Sequence, residues 1–110
     1  MITDEVEQYF DSLKCDTAVL YGIEAHVCIQ QTALDLAAKG VNVHLITDCV
    51  SSSDQHKRDT ALQRMLQAGI HFITLESCAF EIMRTCIHKD FKTILKEVVK
   101  DTPKDMFPNV

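Results

Sequence analysis

Short apolar segments alternate with longer amphipathic segments along the chain, and this alternation limits the possible folds more than any other feature. The apolar segments are Thr17–Tyr21, Val41–Thr47 and Ile70–Leu75, which are rich in β-branched and aliphatic residues. A helical segment of about 14 residues separates each apolar segment from the next, which is the length that a crossover between parallel strands requires. Hairpins are excluded, and both crossovers should be right-handed. The sequence therefore predicts an α/β fold with a parallel sheet.

Apolar residues that recur at helical spacing predict five helices around this sheet. Thr3 is a suitable N-cap for the first helix, and Gly40 and Gly69 stand where left-handed C-terminal caps are expected. The strand Thr17–Tyr21 has the continuous apolar pattern of a strand buried on both faces. Residues 48–53 are polar and are predicted to form a loop. The predicted helices are Ile2–Leu13, His26–Lys39, Asp54–Ala68, Ser77–Cys86 and Lys89–Lys100.

Length and composition indicate one small domain. The chain has 110 residues, of which 46% are hydrophobic and 25% are charged. We assign residues 1–102 to the domain and 103–110 to a loose tail. No apolar run approaches the roughly 20 residues that a membrane-spanning helix needs, and no signal segment opens the chain, so we expect a cytoplasmic protein with no membrane partner. The net charge of −5 and the absence of a cationic stripe argue against a nucleic acid partner.

The cysteines do not form a recognisable framework. Their number is odd and no CxxC pair occurs, which is typical of neither a disulfide scaffold nor a zinc finger. No two histidines share helical i, i+4 spacing with a third ligand, so we expect no metal site, and no cofactor is indicated. Reduced thiols in a cytosol-like compartment are the simplest interpretation. The five cysteines are Cys15, Cys28, Cys49, Cys78 and Cys86.

Cys28 is the strongest candidate for a reactive group. Sites in open parallel sheets form at the carboxyl ends of the strands, and Cys28 lies in the first turn of the helix that follows the first strand. The N–H groups of a first turn and the positive end of the helix dipole favour negative charge, either on a thiolate or on a developing oxyanion. The alternative is that Cys28 is a small buried hydrophobic residue. Cys49 and Cys78 lie near the other strand ends, where packed positions are favoured.

Polar residues near these strand ends are candidate partners for a nucleophile. His26 precedes Cys28 by two residues, and a histidine base beside a cysteine is a known arrangement, but we favour a solvent-facing or capping role for His26. Two interpretations of Glu24 remain open: it acts as a general acid or base, or it is a solvated residue of the loop. A triad of Ser52, His56 and Asp48 is rejected, because nothing marks a serine in this segment as a nucleophile on a strained turn.

Several segments resemble the isochorismatase-like cysteine hydrolases. The most specific is Tyr21–Leu36, with the residues YGIEAHVCIQQTALDL, which resembles the active-site cysteine segment of that family. The most similar group is that of the animal isochorismatase domain-containing proteins. The resemblance continues through Gly40–His44, Asp48, Ser51, Ser52, Ala61–Met65 and His88–Ile94.

This resemblance implies a three-layer α/β/α Rossmann-like domain, of which this chain is a three-stranded partial version with flanking helices. It implies that Cys28 is the nucleophile and that the backbone N–H groups of Glu24 and Cys28 form the oxyanion hole. It also implies a cis peptide bond between Ile23 and Glu24. The corresponding activity is the hydrolysis of a small amide, ester or vinyl ether through a covalent cysteine intermediate, with no cofactor.

The chain departs from the family pattern in its catalytic partners. No Asp or Lys matches the family's catalytic Asp and Lys, since Lys14 lies too close to the first strand. We expect the chain to be the C-terminal part of the domain and to be inactive alone. The alternative is a non-catalytic short form that associates with itself or with a full-length relative. Thr17–Tyr21 should lie at an open sheet edge, which favours a homo-oligomer.

Overall fold

Parallel pairing of three short strands gives the chain its α/β fold, as the spacing of the apolar segments predicted. A computed structural model describes residues 2–100. A π-helical turn, Ala25–Ile29, follows the first strand. The other elements are α1 (Asp4–Ser12), β1 (Thr17–Ile23), α2 (Gln30–Ala38), β2 (Asn42–Ser51), α3 (Gln55–Gln67), β3 (His71–Ile73), α4 (Leu75–Met83) and α5 (Phe91–Lys100).

The sheet has the order β1-β2-β3, with β2 in the centre. Both pairs of strands are parallel: Ala18 of β1 lies opposite Val43, and His44 of β2 lies opposite His71. Each strand is joined to the next through a helix, so the prediction of parallel strands with helical crossovers is confirmed. No helix among residues 2–100 is both long and apolar enough to cross a membrane.

Side-chain caps and left-handed glycines set the ends of the helices. Thr3 caps α1, where its Oγ1 accepts a hydrogen bond of 3.3 Å from the Val6 N–H group. Asp54 caps α3 and accepts a bond of 3.0 Å from the Lys57 N–H group. Gly40, with φ of 83°, follows α2, and Gly69, with φ of 91°, follows α3. These are the conformations that glycine adopts at little cost, so the predicted stops are confirmed.

One face of the sheet is covered by helices within residues 2–74. α1 lies beside α2, where Glu7 forms an ion pair with Lys39. A cavity of about 210 Å³ lies between α1, β1 and α2, and its lining is largely apolar. The helical face of the sheet supplies the core, which consists of Ala25, Ile29, Ala33, Leu36, Val43, Leu45, Val50, Ala61, Met65 and Ile70.

The other face of β1 is exposed, so the prediction that this strand is buried on both faces is wrong. Ala18 and Leu20 pack against the core, whereas Val19, Tyr21 and Ile23 are 44%, 70% and 68% exposed. Successive side chains of a strand point to opposite faces, and α1 and α2 pack on only one face of this strand. β1 lies at the edge of the sheet, as predicted.

The carboxyl end of β2 is longer than predicted, because residues 48–51 belong to the strand and not to a loop. The pairing of Leu20 with Leu45 is followed by the pairing of Gly22 with Val50, which leaves a bulge between the two strands. Gly22 has φ of 122°, a conformation that favours glycine. Pairing of the two strands therefore resumes beyond the bulge and ends with Ile23 opposite Ser51.

The second part of the chain is a compact unit that begins after Thr74. In this unit the rings of Phe80 and Phe91 lie 5.7 Å apart, between α4 and α5. α4 begins earlier than predicted, which shortens β3, and it ends at Met83 and not at Cys86. Arg84 has φ of 66°, which lies outside the right-handed helical region and terminates the helix. The predicted tail, 103–110, lies outside the described residues.

Candidate active site

The connection after β1 is built from a cis peptide bond and a short helical turn. The bond between Ile23 and Glu24 is cis, in agreement with the expectation from the family resemblance. The turn Ala25–Ile29 is π-helical, and its first bonds are donated to the Glu24 carbonyl by Val27 N–H at 3.1 Å and Ile29 N–H at 3.2 Å. π-helical turns are rare in proteins, and those that occur often lie at functional sites.

Two buried residues fix this turn to the core and leave its thiol outside. Ala25 and Ile29 are buried, and they belong to the same core cluster as Leu45. Cys28 lies between them in the chain, and its side chain is exposed. The interpretation of Cys28 as a buried hydrophobic residue is therefore excluded. An exposed thiol in the first turn of a helical segment is positioned to meet a dissolved electrophile.

Glu24 and His26 join this turn to the residues that follow β2. The Glu24 carboxylate accepts a hydrogen bond of 2.8 Å from the Ser53 N–H group. Nδ1 of His26 lies 2.8 Å from Oγ of Ser52, and 3.7 Å from Oε2 of Glu24. Glu24 is therefore engaged within the protein rather than freely solvated, and the hydrogen bond of His26 goes to a serine.

The pairing of His26 with Ser52 was not predicted from the sequence, although its signal was present. These residues are 26 positions apart. The triad rejected on sequence grounds instead joined Ser52 to His56, which follows in the next helix. Both His26 and Ser52 follow neighbouring parallel strands, and the carboxyl ends of such strands meet at one edge of a sheet. That rule could have identified the pair.

The other cysteines differ from Cys28 in their surroundings. Burial, and secondarily the charge of Asp48, raises the pKa of the Cys49 thiol. Burial, and secondarily the charge of Glu81, raises the pKa of the Cys78 thiol. Cys15 and Cys86 are exposed but lie away from the carboxyl ends of the strands. Cys28 is therefore the exposed cysteine that follows a strand end directly.

Arg58 of α3 holds the end of β2 that leads to Ser52. Its guanidinium donates a hydrogen bond of 2.6 Å to the Thr47 carbonyl and one of 3.3 Å to the Val50 carbonyl. Both bonds are partly buried, and hydrogen bonds from charged donors are about twice as strong as neutral ones. Arg58 thus stabilises the strand in the region of the bulge.

Replacement of Arg58 should destabilise the fold. Arg58→Ala should lower the free energy of unfolding by about 2–3 kcal/mol, because it leaves two carbonyl acceptors without their donor. Arg64→Ala is the matched control, since Arg64 is exposed on the same helix. Urea denaturation of both variants measures the difference. Equal stabilities of the two variants would contradict the assigned role.

No metal centre can be argued from the described part of the chain. Among residues 2–100, no group of three or more His, Cys, Asp or Glu side chains is arranged to hold a metal ion. His44 and His71 have ring centroids 4.9 Å apart on neighbouring strands, but a pair of histidines is not a complete site.

Comparison with known proteins agrees with the resemblance of the cysteine segment. The family model of the isochorismatase domain matches residues 1–77. Isochorismatase domain-containing protein 2 of Xenopus laevis is 38% identical over 104 residues, which are 94% of this chain and 51% of the relative. The chain spans about half the length of the curated relatives such as this one.

Solved structures show the same fold over most of the chain. The MAR1 ribonuclease of Caenorhabditis elegans superimposes with a TM-score of 0.85 and 35% identity, over 94% of this chain and 53% of that protein. YcaC of Escherichia coli, described as an octameric hydrolase of unknown specificity, gives a TM-score of 0.84 at 22% identity, over 90% of this chain and 50% of that protein. The family match, the identity to the relatives and the shared fold lead to one conclusion: the chain belongs to the isochorismatase family.

Proposed function

We propose that this chain carries the nucleophile and the oxyanion hole of a cysteine hydrolase that acts on small amides, esters or vinyl ethers. The observation that carries the proposal is the exposed thiol of Cys28 in the first turn after β1. Membership of the isochorismatase family supports it. Because the chain spans about half of its relatives, we also propose that residues 1–102 are the C-terminal part of a larger domain.

For amides and esters, the proposed reaction is a two-step acyl transfer. Sγ of Cys28, as a thiolate, attacks the carbonyl carbon, the C–S bond forms, and the π electrons move to the carbonyl oxygen. The N–H groups of Glu24 and Cys28 donate hydrogen bonds to this oxyanion. Its collapse breaks the bond to the amine or alcohol, which takes up a proton as it leaves. Water then attacks the thioester, releases the acid and restores the thiol.

Acylation by a simple activated ester tests the nucleophile. p-Nitrophenyl acetate should transfer its acetyl group to Cys28 at least about tenfold faster than to any other cysteine, because Cys28 combines exposure with a helical first turn. Peptide mass spectrometry locates the acetyl group. Cys28→Ala should abolish the modification, and Cys86→Ser, at another exposed cysteine, should leave it unchanged. Preferential acetylation of Cys15 or Cys86 would contradict the proposal.

A nucleic acid is tested as a substrate because three structural neighbours carry the word ribonuclease in their names. We propose that no nucleic acid is bound, since the net charge of −5 opposes binding to phosphates. Small amides, small esters and a vinyl ether are therefore tested together with a short single-stranded RNA. Cleavage of the RNA that is lost in Cys28→Ala would replace the acyl substrate class with a phosphodiester.

A second candidate function is association without catalysis. The observation that favours it is the edge strand β1, which exposes the apolar side chains of Val19, Tyr21 and Ile23. Exposed edge strands recruit other strands. The E. coli neighbour is an octamer, and we propose that this chain also forms a homo-oligomer, with itself or with a longer relative.

We propose a reducing compartment, the cytoplasm, as the location of the protein. The five cysteines are free in the structure, and exposed thiols such as those of Cys15 and Cys86 persist where glutathione keeps them reduced. Fractionation of cells that express a tagged chain checks this location. Accumulation of the chain in the culture medium would contradict it.

A further inference from the structure

Two hydrogen-bond contacts join the segment that carries Cys28 to the residues that follow β2. The first is the hydrogen bond of 2.8 Å from Ser53 N–H to the Glu24 carboxylate. The second is the contact of 2.8 Å between Nδ1 of His26 and Oγ of Ser52. Together they fix positions 24 and 26 to the segment that follows β2. We call these four residues the clamp.

The geometry of the clamp excludes a serine-protease type of triad. In such a triad the serine and the carboxylate lie on different nitrogens of the imidazole. Here Oγ of Ser52 is 2.8 Å and Oε2 of Glu24 is 3.7 Å from the same atom, Nδ1 of His26. Ser52 is therefore not arranged as a nucleophile. The contact with His26 persists in either tautomer, because the hydroxyl can donate to Nδ1 or accept from it.

His26 is also poorly placed to act on Cys28 directly. Side chains two positions apart on a helical turn do not face each other. His26 is directed to Ser52 on the next strand end, whereas Cys28 is exposed. The effect of His26 on Cys28 must therefore pass through the backbone of the turn.

We infer that His26 and Ser52, together with the Glu24 carboxylate, are positioning residues that hold the proposed oxyanion hole at Cys28 against the end of β2. The inference rests on the proposed role of Cys28 as the nucleophile. The two proposed N–H donors belong to residues 24 and 28, and the clamp fixes residues 24 and 26, so it restrains the backbone between the donors. Arg58 extends this support, since it binds the Val50 carbonyl shortly before Ser52.

Two reagents distinguish an effect on the position of the N–H donors from an effect on the exposure of the Cys28 thiol. Acylation by p-nitrophenyl acetate passes through an oxyanion and depends on the N–H donors, whereas alkylation by iodoacetamide is a displacement at carbon that forms no oxyanion. Ser52→Ala should lower the rate of Cys28 acylation about tenfold, which is less than the 10²–10³-fold cost of losing one donor outright. The rate of Cys28 alkylation should change less than about twofold, since the thiol remains exposed.

A conservative variant and a matched control complete the experiment. Ser52→Thr keeps the hydroxyl and should restore acylation, and Ser51→Ala, at an exposed serine outside the clamp, should behave as the unmodified chain. Thermal melting checks that each variant is folded. Equal acylation in Ser52→Ala and the unmodified chain, or parallel losses of acylation and alkylation, would overturn the inference. An unmodified chain that is not acylated at Cys28 would overturn the proposed function instead.

Discussion

The 110-residue chain, assayed alone, should give at most one acylation of Cys28 per molecule and no measurable steady-state hydrolysis. From the family resemblance, we expect no Asp or Lys of this chain to match the family's catalytic pair. Glu24 and His26, the titratable residues closest to Cys28 in the sequence, are engaged with Ser53 and Ser52. Loss of catalytic partners around a nucleophile costs about four to six orders of magnitude in rate. Without a base to activate water, the thioester should accumulate.

The time course of p-nitrophenol release from p-nitrophenyl acetate distinguishes a single acylation from repeated turnover. p-Nitrophenol should appear in an initial burst that does not exceed the protein concentration, and the later slope should equal that of Cys28→Ala. Cys86→Ser serves as the control, and it should keep the burst. Continued release that depends on Cys28 would show that this chain suffices for catalysis, and would contradict the expectation.

Self-association through β1 is the second large effect that we expect. This strand lies at the edge of the sheet, and Val19 and Tyr21 are 44% and 70% exposed on one face. Burial of one large apolar side chain contributes about 1.5–3 kcal/mol. The double variant Val19→Lys, Tyr21→Lys should therefore weaken a dimer by about 10²–10⁴-fold, since each factor of ten corresponds to about 1.4 kcal/mol. Analytical ultracentrifugation over a concentration series measures the change.

A control at exposed apolar positions outside the sheet makes this experiment specific. Ile82 and Ile87 are 74% and 86% exposed and lie outside the sheet, so the double variant Ile82→Lys, Ile87→Lys adds the same two charges without altering β1. It should leave the sedimentation of the chain unchanged. Two results together would contradict the expected association. The chain would sediment as a monomer at all concentrations, and it would melt cooperatively well above 50 °C, a temperature within the usual range of melting temperatures for mesophilic domains.

Predictions from the sequence are confirmed where local chemistry decides the structure. The cap Thr3 and the left-handed glycines Gly40 and Gly69 are in the predicted places, because each acts within a few residues of the chain. Predictions are wrong where an element depends on a partner far away along the chain. β2 continues through Ser51 because the end of β1 pairs with it beyond a bulge, and a polar composition alone cannot reveal such pairing.

The same distinction between local features and features of the packed protein applies to the candidate site. The family resemblance selected Cys28 from five cysteines, and the structure adds that its thiol is exposed while Ala25 and Ile29 anchor the same turn in the core. Exposure is a property of the packed protein, because burial of any residue depends on the elements that surround it. The burial that raises the pKa of Cys49 likewise requires the folded chain.

The sequence by itself determined the alternation of strands and helices, the parallel direction of the strands and the position of Cys28 in a first turn, because each follows from spacing along the chain. Only the tertiary structure decided that β1 is exposed on one face and that His26 meets Ser52. These features join residues from different strand ends or depend on which face the helices cover. Such contacts are set by the packing of whole elements, which no short segment encodes alone.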